Sequence, residues 1–190
     1  MFSNLVVHLG YASFEVVYGD NRPFNRNRHW RKQSEKSMSR HTMKTRIETA
    51  LNSAIDQLLT ADHDVIENNV NERTISHRLA IYLESHFPEW DIDCEYNRDH
   101  DDSKKINITR RNTSSDDTHA TTVFPDIIIH KRGTRRNLLV IEIKKTTSSE
   151  PDAYDLGKLK AFKQQLGYKF AVFLKLKTGS NPGVECLNWQ

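Results

Sequence analysis

Two acids and a lysine interrupt otherwise apolar strands between Phe124 and Lys144. Asp126 precedes Ile127-Ile128-Ile129, and Glu142 and Lys144 punctuate the run Leu138-Leu139-Val140-Ile141 and Ile143. Both runs are rich in β-branched residues and flank the polar, glycine-containing stretch Lys131-Arg132-Gly133-Thr134-Arg135-Arg136-Asn137, the pattern of an antiparallel hairpin. A turn centred near Thr134 makes paired positions sum to about 268, which sets Asp126 opposite Glu142. Strand side chains alternate, so Lys144 shares the face of Glu142 and Lys145 points to the other. Directly opposed like charges destabilise a sheet. Two carboxylates in a partly buried cleft stay ionised only with a cation between them. Magnesium, which takes one or two carboxylates together with waters and phosphate oxygens, suits that position. The spacing predicts an ion bridged by Asp126 and Glu142; the bland alternative is the exposed face of an edge strand, which alternation also permits.

The flanking elements extend the pattern. Asn71-Glu72-Arg73-Thr74-Ile75-Ser76-His77-Arg78-Leu79 opens a helix, Trp90 to Tyr96 reads as a strand, Asp152 to Leu166 as a helix and Tyr168 to Leu176 as a further strand. Pro125-Asp126, a hairpin and then Glu142-Ile143-Lys144, within this order, resembles the PD-(D/E)xK nuclease superfamily over roughly Glu72 to Leu176. The resemblance implies an α/β domain with a restriction-endonuclease-like core: helix, three-strand antiparallel meander, helix, strand. An extra N-terminal helix would precede it. It also implies a metal-dependent nuclease, with Mg2+ or Mn2+ held by Asp126, Glu142 and Glu72, and with Lys144 orienting the attacking water. Gln164-Gln165-Leu166-Gly167-Tyr168 resembles the Gln-x-x-x-Tyr element of some branches, which puts Gln164 and Tyr168 at the cleft. Nucleic acid is the implied partner, DNA before RNA. A homodimer accords with the two strands of a duplex.

Glu72 has a structural reading of equal weight, since an acid in the first turn of a helix stabilises its positive end. Its place at the end of the stripe Glu72, Ser76, Leu79, Leu83 favours the metal somewhat. Glu95 is an alternative third acid, although Asp91, Asp93 and Glu95 alternate with apolar neighbours and read as the solvent face of their strand. His77 and His130 have no partners at ligand spacing.

The chain of 190 residues, 36% hydrophobic and 28% charged, suits one domain with a real core. Its net charge of +3 is unevenly placed. Met1 to Arg46 carries nine Lys/Arg against three Asp/Glu, net +6, and the remainder nineteen against twenty-two, net −3. A broadly basic nucleic-acid surface is therefore excluded for the domain, and phosphate attraction falls to local clusters. Three are present: Arg22 to Arg46; the hairpin tip with Arg132, Arg135 and Arg136; and Lys158, Lys160 and Lys163 on the last helix. Each also reads as an ordinary solvated surface.

Residues 1–41 read as a flexible basic leader and 42–190 as the nuclease-like domain, beginning with a helical stripe at Ile47, Leu51, Ala54, Ile55, Leu58 and Leu59. Met43, just ahead of that stripe, is an expected alternative start, which the mass of the native N-terminus would check. Asn97 to Thr122 is polar and reads as a mobile insertion between the first two strands. Cys94 and Cys186 lack metal spacing, the first residues lack a signal-peptide pattern and no apolar run is long enough to span a membrane, so the expected compartment is the cytoplasm.

Overall fold

Strands that read as unbroken apolar runs need cover on both faces, and that is how the hairpin is used. The computed structural model describes residues 7–9, 12–14, 39–96, 98–99, 102–103, 105–107, 120–122 and 124–190. Two compact units divide the chain, Met1–Arg40 and His41–Gln190. In the first, β1 (Val7–Leu9) and β2 (Ala12–Phe14) form a short antiparallel ladder. Most of the basic leader lies outside the described residues.

The second unit is a mixed α/β fold. Helices α1 (Arg40–Ala61), α2 (His63–Glu67) and α3 (Glu72–Glu84) come first, followed by β3 (Asp91–Cys94). The segment 97–122, expected to be a mobile insertion between the first two strands, contains two short ladders among its described residues. In these β4 (Arg98–Asp99) pairs with β5 (Asp102–Ser103), and β6 (Lys105–Asn107) with β7 (Ala120–Thr122). Then come β8 (Ile127–His130), β9 (Asn137–Lys145), α4 (Asp152–Leu166), β10 (Phe170–Lys177) and β11 (Gly183–Trp189). The main sheet has the order β11-β10-β9-β8-β3. All its neighbours are antiparallel except β9 and β10, which run parallel because α4 crosses between them. The edge strand β11, absent from the sequence reading, makes it five-stranded. No helix of the described residues is long and apolar enough to cross a membrane.

The pleat sorts residues by parity. Ile127, Ile129, Leu139, Ile141 and Ile143, with Val172 and Leu174, pack under α1 and α3 against Leu51, Leu58, Leu79 and Leu83. Ile128 and Val140, with Ala171 and Phe173, pack under α4 against Leu159 and Phe162. Glu142 and Lys144 therefore belong to the α4 face. Helix α4 ends where Gly167 takes the left-handed conformation, φ 70°, that a residue without Cβ adopts at no steric cost. Asn71 caps α3, its Oδ1 accepting from the Thr74 N–H at 2.8 Å, and so fixes the turn that carries Glu72.

Candidate functional site

The expected register is present. Ile127 pairs with Ile141, Ile128 with Val140 and Ile129 with Leu139, so Asp126 falls opposite Glu142, one step beyond the ladder. The Ile143 N–H donates to Asp126 Oδ2 at 2.6 Å, which pins that carboxylate at the open end of the hairpin. Glu142 is 1% exposed and Lys144 4%. Two charged side chains this deep need partners, and α4 supplies them. Lys158 donates to Glu142 Oε2 at 2.5 Å, and Lys144 donates to Asp155 Oδ2 at 2.6 Å and to the Pro151 carbonyl at 3.4 Å. Lys158 also lies 3.4 Å from Asp155 Oδ1, so charges alternate through Glu142, Lys158, Asp155 and Lys144.

Burial, with the Asp126 charge next in weight, raises the Glu142 carboxyl well above its ordinary range against the pull of Lys158. Burial likewise pushes Asp126 up to about 6, opposed by the Ile143 N–H and Lys158 and helped by Glu72 and Asp155. Burial would lower the Lys158 ammonium, but Glu142, Asp126 and Asp155 together hold it above its usual value.

The shift at Asp126 has a consequence for stability. Its usual value is 3.8, so the folded chain binds this proton more tightly than the unfolded chain does. The group adds stability below about pH 4, and that contribution is lost as pH rises through about 6. Glu142 acts in the same direction. Asp126→Asn is expected to flatten the decline of unfolding free energy across this window. Urea denaturation at several pH values measures the slope, and a slope equal to wild type would contradict the assignment.

Glu72 approaches the same end of the sheet from the opposite layer. Its Oε1 accepts from the Lys145 N–H at 2.9 Å, and its charge is felt at Asp126. Lys145 turns its ammonium to the other face, to the carbonyls of Asn69 and Val70. The three acids do not close into a three-ligand cage. Among the described residues, the only trio with ligand atoms mutually within 4.8 Å is His63, Asp64 and Glu67, all exposed. Magnesium does not require a cage, since one or two carboxylates and waters suffice. The donor set fits on a specific observation: Glu142 Oε1 is buried and has no hydrogen-bond partner among the described residues. Asp126 and Glu142 are the residues that would hold such an ion.

Other expectations are relocated. The hairpin tip is close to Asp126 in sequence but sits at the opposite end of β8, more than roughly 13 Å away at the usual strand rise. There Arg132 is committed to Asp93, and Arg136 lies over the Trp90 ring at 5.0 Å from its centroid. Arg135 is exposed at that tip. Asp93 is not on a solvent face: it also holds the buried His130, with Nε2 at 2.8 Å from Oδ2. Glu95, the alternative third acid, is drawn away to Arg73 at 2.5 Å. Lys158, expected as a surface contact for phosphate, instead points inward with its side chain 12% exposed. Gln164 is exposed near the end of α4, and Tyr168 is buried in the core edge-on to Phe162.

Asp155 is the site residue the sequence reading passed over. Its signal was present: Asp155 and Lys158 stand four residues before Leu159 and Phe162, on the stripe that α4 turns to the sheet. Comparison with protein-family models, with curated proteins and with solved structures finds no match for this chain.

Proposed function

We propose that the chain is a metal-dependent nuclease of PD-(D/E)xK type that hydrolyses phosphodiester bonds of nucleic acid, DNA being put before RNA on the family resemblance alone. One observation carries this reading: Asp126, Glu142 and Lys144 gather at the open end of one hairpin, with a buried Glu142 oxygen left unpartnered. The order of helix, three antiparallel strands, crossover helix and parallel strand supports the restriction-endonuclease-like form of the fold. Asp126 and Glu142 would hold Mg2+ or Mn2+, which when bound polarises a phosphate and lowers the pKa of a water. Lys144, fixed by Asp155, offsets negative charge developing at the attacked phosphate. Glu72, whose charge reaches Asp126, steadies the end of β9 by accepting from the Lys145 N–H.

A second reading has its own observation. The ion pairs Glu142 with Lys158 and Lys144 with Asp155 neutralise the site internally, as in a nuclease fold retained as a binding module for nucleic acid or protein. Incubation with single- and double-stranded DNA and RNA, in Mg2+, Mn2+ or chelator, separates the two. Shortening or nicking of a substrate only with metal is the expected result. Intact substrates under every condition favour the binding module, and equal cleavage in chelator excludes the metal mechanism.

A further inference from the structure

Helix α4 brings a lysine to the place where the proposed nuclease needs a metal. Lys158 Nζ lies 2.5 Å from Glu142 Oε2 and 3.4 Å from Asp155 Oδ1, and its side chain is only 12% exposed. An ion bound at about 2 Å to the same oxygen would stand within roughly 5 Å of that ammonium, and one on the other oxygen of that carboxylate only a little farther. Three positive charges cannot share so small a volume cheaply in a poorly solvated site. The geometry points to Lys158 as a built-in counter-ion, which occupies the cation position of Glu142 and leaves it when a divalent ion binds.

The surroundings allow that exchange. Lysine has a flexible four-carbon stem, and Lys158 also lies beside the exposed ring of Tyr154, one helical turn earlier, at 5.6 Å from its centroid. The ring is already in cation-π range while the ammonium is on Glu142, and it stays within reach of the flexible stem as the ammonium moves outward. Lys144 is not the exchanging cation, because Asp155 Oδ2 and the Pro151 carbonyl both retain it on the α4 side. Glu142 Oε1, buried and without a hydrogen-bond partner among the described residues, and Asp126, opposite Glu142 across the hairpin, are the oxygens left for the ion once Lys158 moves aside. In the ion-free protein Lys158 keeps a buried carboxylate compensated. Once the ion has entered, the same lysine is released toward the surface, where a phosphate group would meet it.

The inference rests on the nuclease reading for the identity of the ion, and the test separates the two. Mn2+ is titrated calorimetrically at pH 8 into wild type, Lys158→Gln, and Lys158→Gln combined with Glu142→Gln. Removing the ammonium is expected to lower the Mn2+ dissociation constant at least tenfold, a gain that the added Glu142→Gln abolishes. Equal dissociation constants in wild type and Lys158→Gln would overturn the exchange while leaving the nuclease reading in place. Absence of binding in both would overturn the exchange and the nuclease reading together. A footprint on the unmodified chain removes dependence on how the variant folds. Acetylation of Lys158, followed by mass spectrometry, is expected to accelerate severalfold when Mn2+ saturates the protein, with Lys144 remaining slow. Unchanged Lys158 acetylation in Mn2+-saturated wild type would refute the exchange.

Discussion

Asp126→Ala and Lys144→Ala are each expected to lower metal-dependent phosphodiester cleavage by on the order of 10²- to 10⁴-fold. Lys144 is buried at the open end of β9, and Asp155 holds its ammonium at 2.6 Å, so its position is set before any substrate arrives. A charge fixed in a poorly solvated site acts on a developing negative charge without first reorganising, which makes it worth more than a surface lysine. Asp126 is pinned in the same way by the Ile143 N–H. Since both would serve one reaction centre, the double variant is expected to fall little below either single one. Lys145→Ala is the control from the next residue. It loses bonds to the Asn69 and Val70 carbonyls on the opposite face, so it should act on stability more than on turnover. Initial rates on the preferred substrate, with folding checked by circular dichroism, measure all four variants. Wild-type rates in Asp126→Ala and Lys144→Ala would remove these residues from the chemistry.

The hairpin was legible because its signals are local. Alternation and the polar turn sufficed to set Ile127 against Ile141, and hence Asp126 against Glu142. The limits of α4 were equally plain, with Pro151 at its start and Gly167 at its end. What escaped depended on how separate segments meet. The rotation of α4 about its axis decides whether Lys158 faces water or Glu142, and the crossover that sets this rotation is a tertiary property. The charges on that helix concealed it, because lysines on a polar helix ordinarily face solvent. Arg132 and Arg136 stand near Asp126 in sequence but far from it in space, since a strand carries its two ends apart as fast as the chain can extend. Asp93 was misjudged for a related reason. Alternation placed it on a wet face, but it pairs across to the buried His130 of the same sheet. The edge strand β11 has an irregular burial pattern, which leaves little periodicity to read.

Lys158→Met is expected to destabilise the fold by about 3–5 kcal/mol, the usual cost of leaving a buried charge without its partner. Glu142 is the group left behind: it is 1% exposed, faces Asp126 and, among the described residues, has no other cation within hydrogen-bond reach. The reciprocal change should cost less. In Glu142→Leu the ammonium keeps Asp155 at 3.4 Å, and Asp126 is relieved of a neighbouring negative charge. The double variant Glu142→Leu with Lys158→Met replaces the pair by apolar side chains of similar size. It is expected to recover to within about 1 kcal/mol of wild type or above it, because burial no longer works against charge. The loss in Lys158→Met should also shrink as pH is lowered. Burial and Asp126 already raise the Glu142 carboxyl well above its ordinary range, and without Lys158 it takes up a proton at still higher pH. Urea denaturation of the four proteins at pH 8 and pH 5 gives the complete cycle. Equal losses in the two single variants would show that Asp155 does not support Lys158. A double variant weaker than both would show that the pair stabilises the fold beyond merely compensating its own burial, which would assign Glu142 and Lys158 a structural role independent of any ion.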